Sequence, residues 1–461
     1  MTRRVVVVGA GMTGLVAAYR LTQGEDPCDV IVLEADEGVG GKVRSVTVAG
    51  LELEGGPDSL LVRKTAAVDL VKELEMGDDL VPAAVAATQI WTRKGLLPFP
   101  SGPFGISTDP WELARWGGMS WSAKIRAGGD LVLPRGKAGG DESLGDVLRR
   151  RIGSGATDAL VAPLLGGLFA GDVDRLSVRA TFPELAAWER EHRSLMRGAR
   201  AMSAARRPAS VGGVGQDAPP PMFVRLRGGL RRITDRVAEL LGPKRIRTGV
   251  SVSELHVGGD AVAVVAGGER IEADAVLLTS PAFVSADLLE PAAPDAARQL
   301  REIPYASTAV GLLVYPPGTD DVLPASSGFV APRGALPMNA ATIVSKKWPD
   351  ERFNGRAVLR CFIGGTGTEQ VLDASDEAIV ADVAASLRGI YPLPAEPEAA
   401  TLVRWPRAMP QYEVGHLDRV EAIEEGLPPG VWIAGQAFRG AGLPDCVGQA
   451  SSVAEKIRAA G

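Results

Sequence analysis

Residues 5–15, VVVVGAGMTGL, decide the fold of this chain, together with a second apolar run at residues 30–33, VIVL, and the Glu34 that follows it. In order, these are a strand, a glycine turn, the start of a helix, a second strand and an acid. This order is typical of the first half of a Rossmann-type domain, in which a parallel strand–helix–strand unit binds a dinucleotide. A glycine turn alone would be weak evidence, but here two strands and an acid frame it. The sequence therefore predicts a dinucleotide site in the N-terminal lobe.

Each glycine of the turn has its own physical reason. Gly9 allows the tight turn, Gly11 lets a pyrophosphate approach the backbone, and Gly14 lets the helix pack closely on the strand. The amide groups at the start of the helix would then face phosphate oxygens, where the helix dipole favours negative charge. Glu34 follows Gly14 at the spacing of about 20 residues at which a carboxylate accepts a ribose hydroxyl.

A second glycine-rich element comes directly after the acid. Gly40, Gly41 and Lys42 offer close backbone approach and a positive charge near the phosphates, and residues 51–59, LELEGGPDS, add a further glycine turn. Standing alone, this segment would be interpreted as a polar hairpin loop. Its position after Glu34 favours a second part of the nucleotide site.

Composition excludes several classes of function. A length of 461 residues predicts two or three interwoven lobes. The net charge of −6 argues against a nucleic-acid surface, so no nucleic-acid partner is expected. The three cysteines, an odd number spaced far apart, indicate a reducing compartment without a disulfide framework. The three histidines share no metal-ligand spacing, so no metal site is predicted.

The N-terminus could imitate a secretory signal, because two arginines precede an apolar run. That run is the nucleotide-binding strand itself, and cleavage would destroy the site. No uninterrupted apolar stretch reaches the ~18 residues of a membrane-spanning helix. The sequence therefore predicts a cytoplasmic protein without a transmembrane segment, and it leaves peripheral membrane contact open.

Changes in amino-acid composition and hydrophobic pattern along the chain predict three lobes and a linker. A discontinuous dinucleotide-binding domain would combine residues 1–85, 222–300 and 402–461, because a last buried strand leads through glycines into a final helix. Residues 301–401, with several short β-rich runs, would form a mixed sheet that lines a substrate cavity. Residues 207–221, rich in glycine and proline, indicate a linker.

Residues 86–206 are expected to form a helical lobe that faces the substrate and that would carry any membrane contact. Trp91, Trp111, Trp116 and Trp121 lie near its start, and tryptophans in such a lobe are more often core than a stacking platform. We therefore expect them to be buried. A single basic helix at 183–204 is predicted near the end of the lobe.

Longer motifs carry a resemblance that covers the chain from end to end. They are GPDS at 56–59 with Arg63 and Lys64, APLLGGLFAGD at 162–172, RWPRAMPQY at 404–412 and RGAGLPDC at 439–446. In these motifs the chain resembles the oxygen-dependent porphyrinogen oxidases of haem synthesis, a branch of the amine-oxidase-like flavoproteins. Within that branch it looks most like the bacterial coproporphyrinogen III oxidases. The resemblance implies an α/β fold with a Rossmann-type FAD-binding domain (the two-dinucleotide-binding-domain class), a mixed-sheet substrate domain and a helical lobe.

The resemblance also implies the cofactor and its contacts. It favours FAD over NAD, because a G-G-[RK] element follows the acid in that family. The implied FAD-binding residues are Gly9, Ala10, Gly11, Met12, Thr13 and Gly14 at the pyrophosphate, Glu34 and Ala35 at the ribose, Lys42, Gly56, Pro57, Asp58 and Ser59 between phosphates and ring, Val250 at the adenine, and Trp405, Gly442, Leu443 and Pro444 around the isoalloxazine. For Val250, a purely structural strand is the alternative.

For the substrate, the resemblance implies that Gly167 lets a macrocycle approach the flavin, next to Phe169; a cramped turn is the alternative explanation of that glycine. Substrate carboxylates need cations, and Arg63 and Lys64 are the first candidates because they follow the flavin-facing turn. Arg93, Lys346 and Lys347 are weaker candidates. A charge-assisted hydrogen bond contributes about 1.5–3 kcal/mol, so one pair orients a ring without deciding between two and four carboxylates.

The implied reaction is the six-electron oxidation of coproporphyrinogen III to coproporphyrin III, with O2 as acceptor and H2O2 as product. It needs no catalytic side chain, since the flavin carries the hard step. Three alternatives stay open: oxidation of protoporphyrinogen IX, a flavin amine oxidase or carotene-type desaturase, and a non-catalytic FAD scaffold that hands porphyrin to a ferrochelatase. A hand-off to a ferrochelatase is also compatible with the enzyme.

Overall fold

The structure is a computed structural model that describes residues 2–136, 140–205, 221–258 and 261–460. The linker expected at 207–221 lies outside the described residues, apart from its last residue. The strands are β1 Arg4–Val8, β2 Asp29–Leu33, β3 Ser45–Val48, β4 Leu51–Glu54, β5 Leu60–Leu61, β6 Leu80–Pro82, β7 Thr88–Thr92, β8 Gly95–Pro98, β9 Phe223–Leu226, β10 Ile246–Arg247, β11 Val252–Gly258, β12 Ala261–Ala266, β13 Glu269–Ala273, β14 Ala275–Leu278, β15 Tyr305–Pro317, β16 Gly328–Val330, β17 Ala340–Ile343, β18 Arg356–Gly364, β19 Ala399–Pro410 and β20 Val431–Ile433. The helices are α1 Met12–Leu21, α2 Ala66–Glu73, α3 Pro110–Arg115, α4 Trp121–Gly128, α5 Leu144–Ala156, α6 Ala162–Phe169, α7 Val178–Thr181, α8 Pro183–His192, α9 Leu195–Ala205, α10 Arg231–Leu241, α11 Ala282–Leu289, α12 Pro294–Arg301, α13 Val344–Lys347, α14 Asp376–Arg388, α15 His416–Glu425 and α16 Leu443–Ala459.

A five-stranded parallel sheet of order β10-β2-β1-β14-β20 forms the centre of the dinucleotide lobe. The strand β1 is a run of valines because both faces of the sheet are covered. Helices α1 and α16 pack together on one face, and the small sheet β11-β12-β13 covers the other. Since β20 pairs with β14, the last segment of the chain completes the lobe that the first segment begins. The predicted α/β fold with a Rossmann-type lobe is confirmed.

A seven-stranded mixed sheet of order β19-β15-β18-β17-β16-β7-β8 forms the second lobe. It is mixed because β16 and β7 run parallel while the other neighbours are antiparallel. Helix α14 covers one face, and the β3-β4 hairpin of the dinucleotide lobe packs on the other. The strands β7 and β8 come from a range expected to be helical, and their pairing places them in this sheet.

Among the described residues of the helical lobe, one stretch, Leu144–Phe169, is long and apolar enough to cross a membrane by length and composition. It joins α5, a π-helical turn at Thr157–Val161 and α6. Within its most apolar window 44% is buried inside the structure, and the stretch is broken at Gly153, where φ is 77°. Leu148, Ile152 and Leu165 from this stretch belong to the hydrophobic core of the lobe. We therefore interpret it as a core helix.

A buried ion pair fixes the helical lobe. The guanidinium of Arg151 donates through Nε to Asp130 Oδ1 at 2.7 Å, and both side chains are at most 1% exposed. The second oxygen of Asp130 accepts from the Ser194 hydroxyl at 2.6 Å and the Met196 N–H at 2.9 Å. Because every charge here has partners, the pair can be buried without an uncompensated desolvation penalty.

Two expectations for this lobe are wrong. Trp111 and Trp121 are 72% and 67% exposed, whereas Trp116 is buried as expected. Trp111 and Trp121 lie on the short surface helices α3 and α4, where the Lys124 ammonium covers the Trp121 ring at 4.6 Å. The single basic helix at 183–204 is two helices, α8 and α9, because Arg193 adopts a left-handed conformation with φ of 59°.

Candidate functional site

The first glycine turn has the geometry that its sequence predicts. Gly9 has a φ of 106°, which favours glycine, and its N–H donates to the Leu33 carbonyl at 2.8 Å, which ties the turn to β2. A Cβ on Gly14 would collide with the Gly9 carbonyl oxygen and lie 2.7 Å from Thr279 Oγ1. Gly14 therefore permits the close packing of α1 on the sheet.

The N-terminus of α1 opens onto free space. A Cβ on Gly11 would meet nothing within 4 Å. The first intrahelical bond runs from Leu15 N–H to the Gly11 carbonyl at 3.0 Å, so the N–H groups of Met12, Thr13 and Gly14 have no acceptor within the helix. Free space beside unpaired helical amides fits a pyrophosphate group.

Glu34 is held in place by backbone amides. Its carboxylate accepts from Ala10 N–H at 2.6 Å and from Asp36 N–H at 2.9 Å. Each oxygen keeps further lone pairs for a ribose hydroxyl, and Ala35 beside it is exposed. Val250 lies between the two-residue strand β10 and β11, and its N–H donates to the Glu34 carbonyl at 2.8 Å. This bond ties Val250 to the end of β2 and occupies its N–H.

Two further glycine segments pack against the first turn. The Gly40 N–H donates to the Ala10 carbonyl at 2.8 Å, and a Cβ on Gly41 would lie 3.3 Å from the Gly11 Cα. A Cβ on Gly56 would collide with the Lys42 carbonyl oxygen. The glycines are required because three stretches of backbone meet here.

The side chain of Lys42, expected as a cation near the phosphates, already has two partners in the protein. Its ammonium donates to the Ala408 carbonyl and to Gln436 Oε1, both at 2.6 Å. Burial lowers the pKa of Lys42 to about 8. Lys42 therefore links the N-terminal glycine turns to the C-terminal part of the chain, a contact between residues hundreds of positions apart.

The turn at 56–59 is anchored by cations from the mixed-sheet lobe. Asp58 lies 3.4 Å from Arg360 and 3.6 Å from Lys347, and Arg360 also donates to the Gly56 carbonyl. Burial would raise the pKa of Asp58, but Lys347, Arg360 and the Ser59 hydroxyl outweigh it and hold the pKa well below its usual range. Pro57 is half-buried between them.

Sequence reasoning missed Arg360. A signal was present, because a charge in the middle of the buried strand RAVLRCFIG, β18, requires a specific partner. The partner lies about 300 residues earlier in the chain, at a position that the pattern alone could not identify.

The C-terminal segment completes the site. Trp405 donates from Nε1 to the Gly55 carbonyl at 2.8 Å, which places it beside the 56–59 turn. Gly442 is the N-cap of α16, and Leu443 and Pro444 form the first turn of that helix, which packs against α1. The structure therefore brings the implied flavin residues of both chain ends together.

Tyr412 connects this segment to the helical lobe. Its hydroxyl donates to the Gln436 carbonyl at 2.5 Å and accepts from the Gly440 N–H at 3.0 Å. Its ring stacks on His416 at 4.0 Å and lies 5.8 Å from the Phe169 ring. His416 is fully buried and burial lowers its pKa to about 4, so it is a neutral structural residue.

Gly167 lies in open space at the end of α6. A Cβ there would meet no described residue within 4 Å, and the next residue, Leu168, is 56% exposed. A cramped turn therefore does not explain Gly167. Phe169 follows, packed edge-on against Phe182 at 5.7 Å and against Tyr412. Phe169 therefore connects α6 to the C-terminal segment through Tyr412.

The two leading carboxylate-binding candidates already have acidic partners. Lys64 bonds Asp445 at 2.7 Å, which places its ammonium at the first turn of α16. Arg63 bonds Glu184 at 2.7 Å and covers the Phe104 ring. Both cations remain partly exposed, at 45% for Lys64 and 39% for Arg63.

The weaker candidates have other environments. Lys347 pairs with Asp58 and Lys346 with Asp320 at 3.0 Å, whereas Arg93 is exposed in the β7-β8 turn. Among the described residues, no group of three or more metal-ligating side chains is found.

Comparisons with known proteins agree with this geometry. The family model for flavin containing amine oxidoreductases matches residues 12–458. The coproporphyrinogen III oxidase of Bacillus subtilis is 34% identical, with 97% of this chain and 96% of that protein covered. The chloroplastic protoporphyrinogen oxidase of Oryza sativa subsp. japonica is 29% identical, with 98% and 87% covered. A crystal structure from Exiguobacterium sp. 255-15, provisionally named a protoporphyrinogen oxidase, has a TM-score of 0.86 at 30% identity and covers 100% of this chain and 99% of its own. This chain belongs to the family of flavin-containing amine oxidoreductases.

Proposed function

We propose that this chain oxidises coproporphyrinogen III to coproporphyrin III in haem biosynthesis, with FAD as its cofactor, O2 as the electron acceptor and H2O2 as the product. The observation that carries the proposal is the 34% identity to a coproporphyrinogen III oxidase over nearly the whole of both chains. Bound FAD would accept the electrons of the substrate, two at a time. We place the enzyme in the cytoplasm, where a ferrochelatase would take up its product.

The arrangement of side chains supports a large substrate. Gly167 has open space around it near the end of α6, and Phe169 of the same helix contacts Tyr412, whose hydroxyl accepts from the Gly440 N–H. Lys64, held by Asp445, offers an ammonium at the edge of the C-terminal segment. A substrate carboxylate that joined Asp445 at this partly exposed ammonium would add a charge-assisted hydrogen bond of about 1.5–3 kcal/mol, whereas one that displaced Asp445 would offset that gain by the bond lost. No side chain is assigned a catalytic role.

Anaerobic mixing tests the flavin, the substrate class and the electron transfer together. Oxidised yellow protein mixed with coproporphyrinogen III should lose its flavin colour as porphyrin fluorescence appears, and air should restore the colour with formation of H2O2. Failure to bleach with any porphyrinogen would favour a non-catalytic scaffold. Bleaching with amines alone would favour an amine oxidase.

A glycine variant tests the assigned approach of the macrocycle. Gly167→Val should retain flavin and fold but bleach at least tenfold more slowly with porphyrinogen, because the new side chain occupies the open space. Gly128→Val is the matched control, since that helical glycine also has nothing within 4 Å but lies in the surface helix α4. Equal slowing in both variants would contradict the assignment.

A second candidate is oxidation of protoporphyrinogen IX, which the 29% identity to the rice protoporphyrinogen oxidase favours. The two substrates differ in carboxylate number. Turnover of each at matched concentration, followed by porphyrin fluorescence, separates them. A higher kcat/KM for protoporphyrinogen IX would reverse our choice.

A further inference from the structure

A cavity of about 60 Å3 lies beside Asp58 of the 56–59 turn. It is lined by Glu54, Asp58, Arg225, Trp348 and Arg360, among others. The side chain of Arg360 is only 5% exposed, and its Nε has no hydrogen-bond partner in the part of the chain that the structure describes. Burial of a guanidinium costs desolvation free energy unless the group is paired. The groups with which Arg360 pairs therefore indicate its structural role.

Both partners of Arg360 belong to the flavin-facing turn. One terminal nitrogen donates to the Gly56 carbonyl, and the other lies 3.4 Å from Asp58. Arg360 itself stands on β18 of the mixed-sheet lobe, opposite Leu312 of β15 and Thr342 of β17. Its side chain therefore crosses from one lobe to the other, and its planar fork fixes two groups of the turn at once.

Arg360 also changes the electrostatic environment of a bound flavin, because it compensates the negative charge of Asp58. Without Arg360, the Asp58 carboxylate would keep only Lys347 as a cationic neighbour, at 3.6 Å. A negative charge near a flavin disfavours the electron-rich reduced form, whereas a positive charge favours it.

We infer that Arg360 is a positioning residue for the flavin, which holds the 56–59 turn in place and raises the reduction potential of the bound cofactor. The inference rests on flavin binding at that turn, which is part of the proposed function, but not on the identity of the substrate. It is therefore tested without porphyrinogen.

The experiment compares purified holoproteins by three readouts: the FAD dissociation constant, the midpoint potential of the bound flavin and the denaturant midpoint. Arg360→Met should weaken FAD binding about tenfold and lower the preference for reduced over oxidised flavin about tenfold, which is about 30 mV for a two-electron couple. Arg360→Lys should recover most of the potential, because it retains the charge, but not the affinity, because it loses the fork.

Two further variants keep the inference falsifiable. Asp58→Asn should move the potential in the opposite direction to Arg360→Met, because it removes a negative charge. Arg352→Met is the matched control: Arg352 lines the same cavity but is 55% exposed and pairs with Asp350, so all three readouts should stay at wild-type values. If Arg360→Met fails to fold, Arg360→Lys and Asp58→Asn decide.

A wild-type FAD affinity in Arg360→Lys, an unchanged potential in Asp58→Asn, or a shift of the same sign in Asp58→Asn and Arg360→Met would overturn the inference and leave Arg360 a packing residue. A wild-type protein that shows the predicted flavin effects but never oxidises coproporphyrinogen would contradict the proposed function alone. The two failures are therefore distinguishable.

Discussion

Substitutions at Gly11 and Gly14 of the first turn are expected to distinguish effects on folding from effects on cofactor binding. A methyl group on Gly14 would collide with the Gly9 carbonyl and approach Thr279 Oγ1 to 2.7 Å, whereas a methyl group on Gly11 would meet nothing within 4 Å. Gly14→Ala should therefore damage the protein itself, and Gly11→Ala should damage only its complex with FAD.

The expected magnitudes follow from these contacts. Overpacking of a closely packed site is expected to lower the free energy of unfolding of the Gly14→Ala apoprotein by about 1–3 kcal/mol, because the neighbour is backbone and cannot rotate away. Gly11 is the N-cap of α1 with an ordinary φ of −72°, and alanine is a poorer cap than glycine by no more than about 1 kcal/mol. If a pyrophosphate occupies the free space, the methyl group of Gly11→Ala should weaken FAD binding by at least about tenfold, or about 1.4 kcal/mol.

Chemical denaturation of the two apoproteins and titration with FAD measure both quantities. Gly11→Ala should give an apoprotein of near wild-type stability with reduced FAD affinity, and Gly14→Ala should lose both. Wild-type FAD affinity in Gly11→Ala would refute the placement of the pyrophosphate at this helix N-terminus. Wild-type stability in Gly14→Ala would refute the packing argument.

Three further predictions concern charged groups. Burial raises the pKa of Glu54 from 4.5 to about 7, so between these pH values the folded protein binds more protons than the unfolded chain. The free energy of unfolding should therefore fall by up to about 3 kcal/mol as the pH rises from 4.5 through 7. Denaturation curves measured across that range should show a flatter pH dependence for Glu54→Gln. Asp130→Asn leaves the buried Arg151 guanidinium without its charge partner and should lower the free energy of unfolding by about 3–5 kcal/mol, and a loss below 1 kcal/mol by chemical denaturation would contradict the importance of the pair. Lys64→Met should raise KM for coproporphyrinogen III by about tenfold or more with little change in kcat, and an unchanged KM in steady-state assays would remove Lys64 from the substrate site.

Local geometry could be predicted from the sequence because its causes are local. The turn at Gly9, the close packing at Gly14 and the position of Glu34 depend on residues within one strand–helix–strand unit. The period of the apolar residues and the spacing of the glycines and the acid in the sequence reflect such local constraints. The four β-rich runs of the second lobe were also predictable, since buried strands are rich in apolar residues.

Contacts between distant segments could not be predicted. The sequence did not indicate that Lys42 Nζ would donate to two oxygens of the C-terminal segment, at Ala408 and Gln436. Trp121 was expected in the core, but the fold leaves α4 on the surface. In both cases the residue type was recognised, while its partner was fixed by how the lobes pack.

The assembly of the site from both chain ends has a consequence for stability. Lys42 joins the early glycine turns to Gln436, and Lys64 joins the segment after the 56–59 turn to Asp445 of the last helix. The same two regions hold the amides and glycines assigned to the cofactor. A ligand that contacts both would stabilise their docking by RT ln(1 + [L]/Kd), about 2.7 kcal/mol at a hundredfold excess over Kd. Docking of α16 and FAD binding should therefore strengthen each other, because each organises the surface on which the other depends.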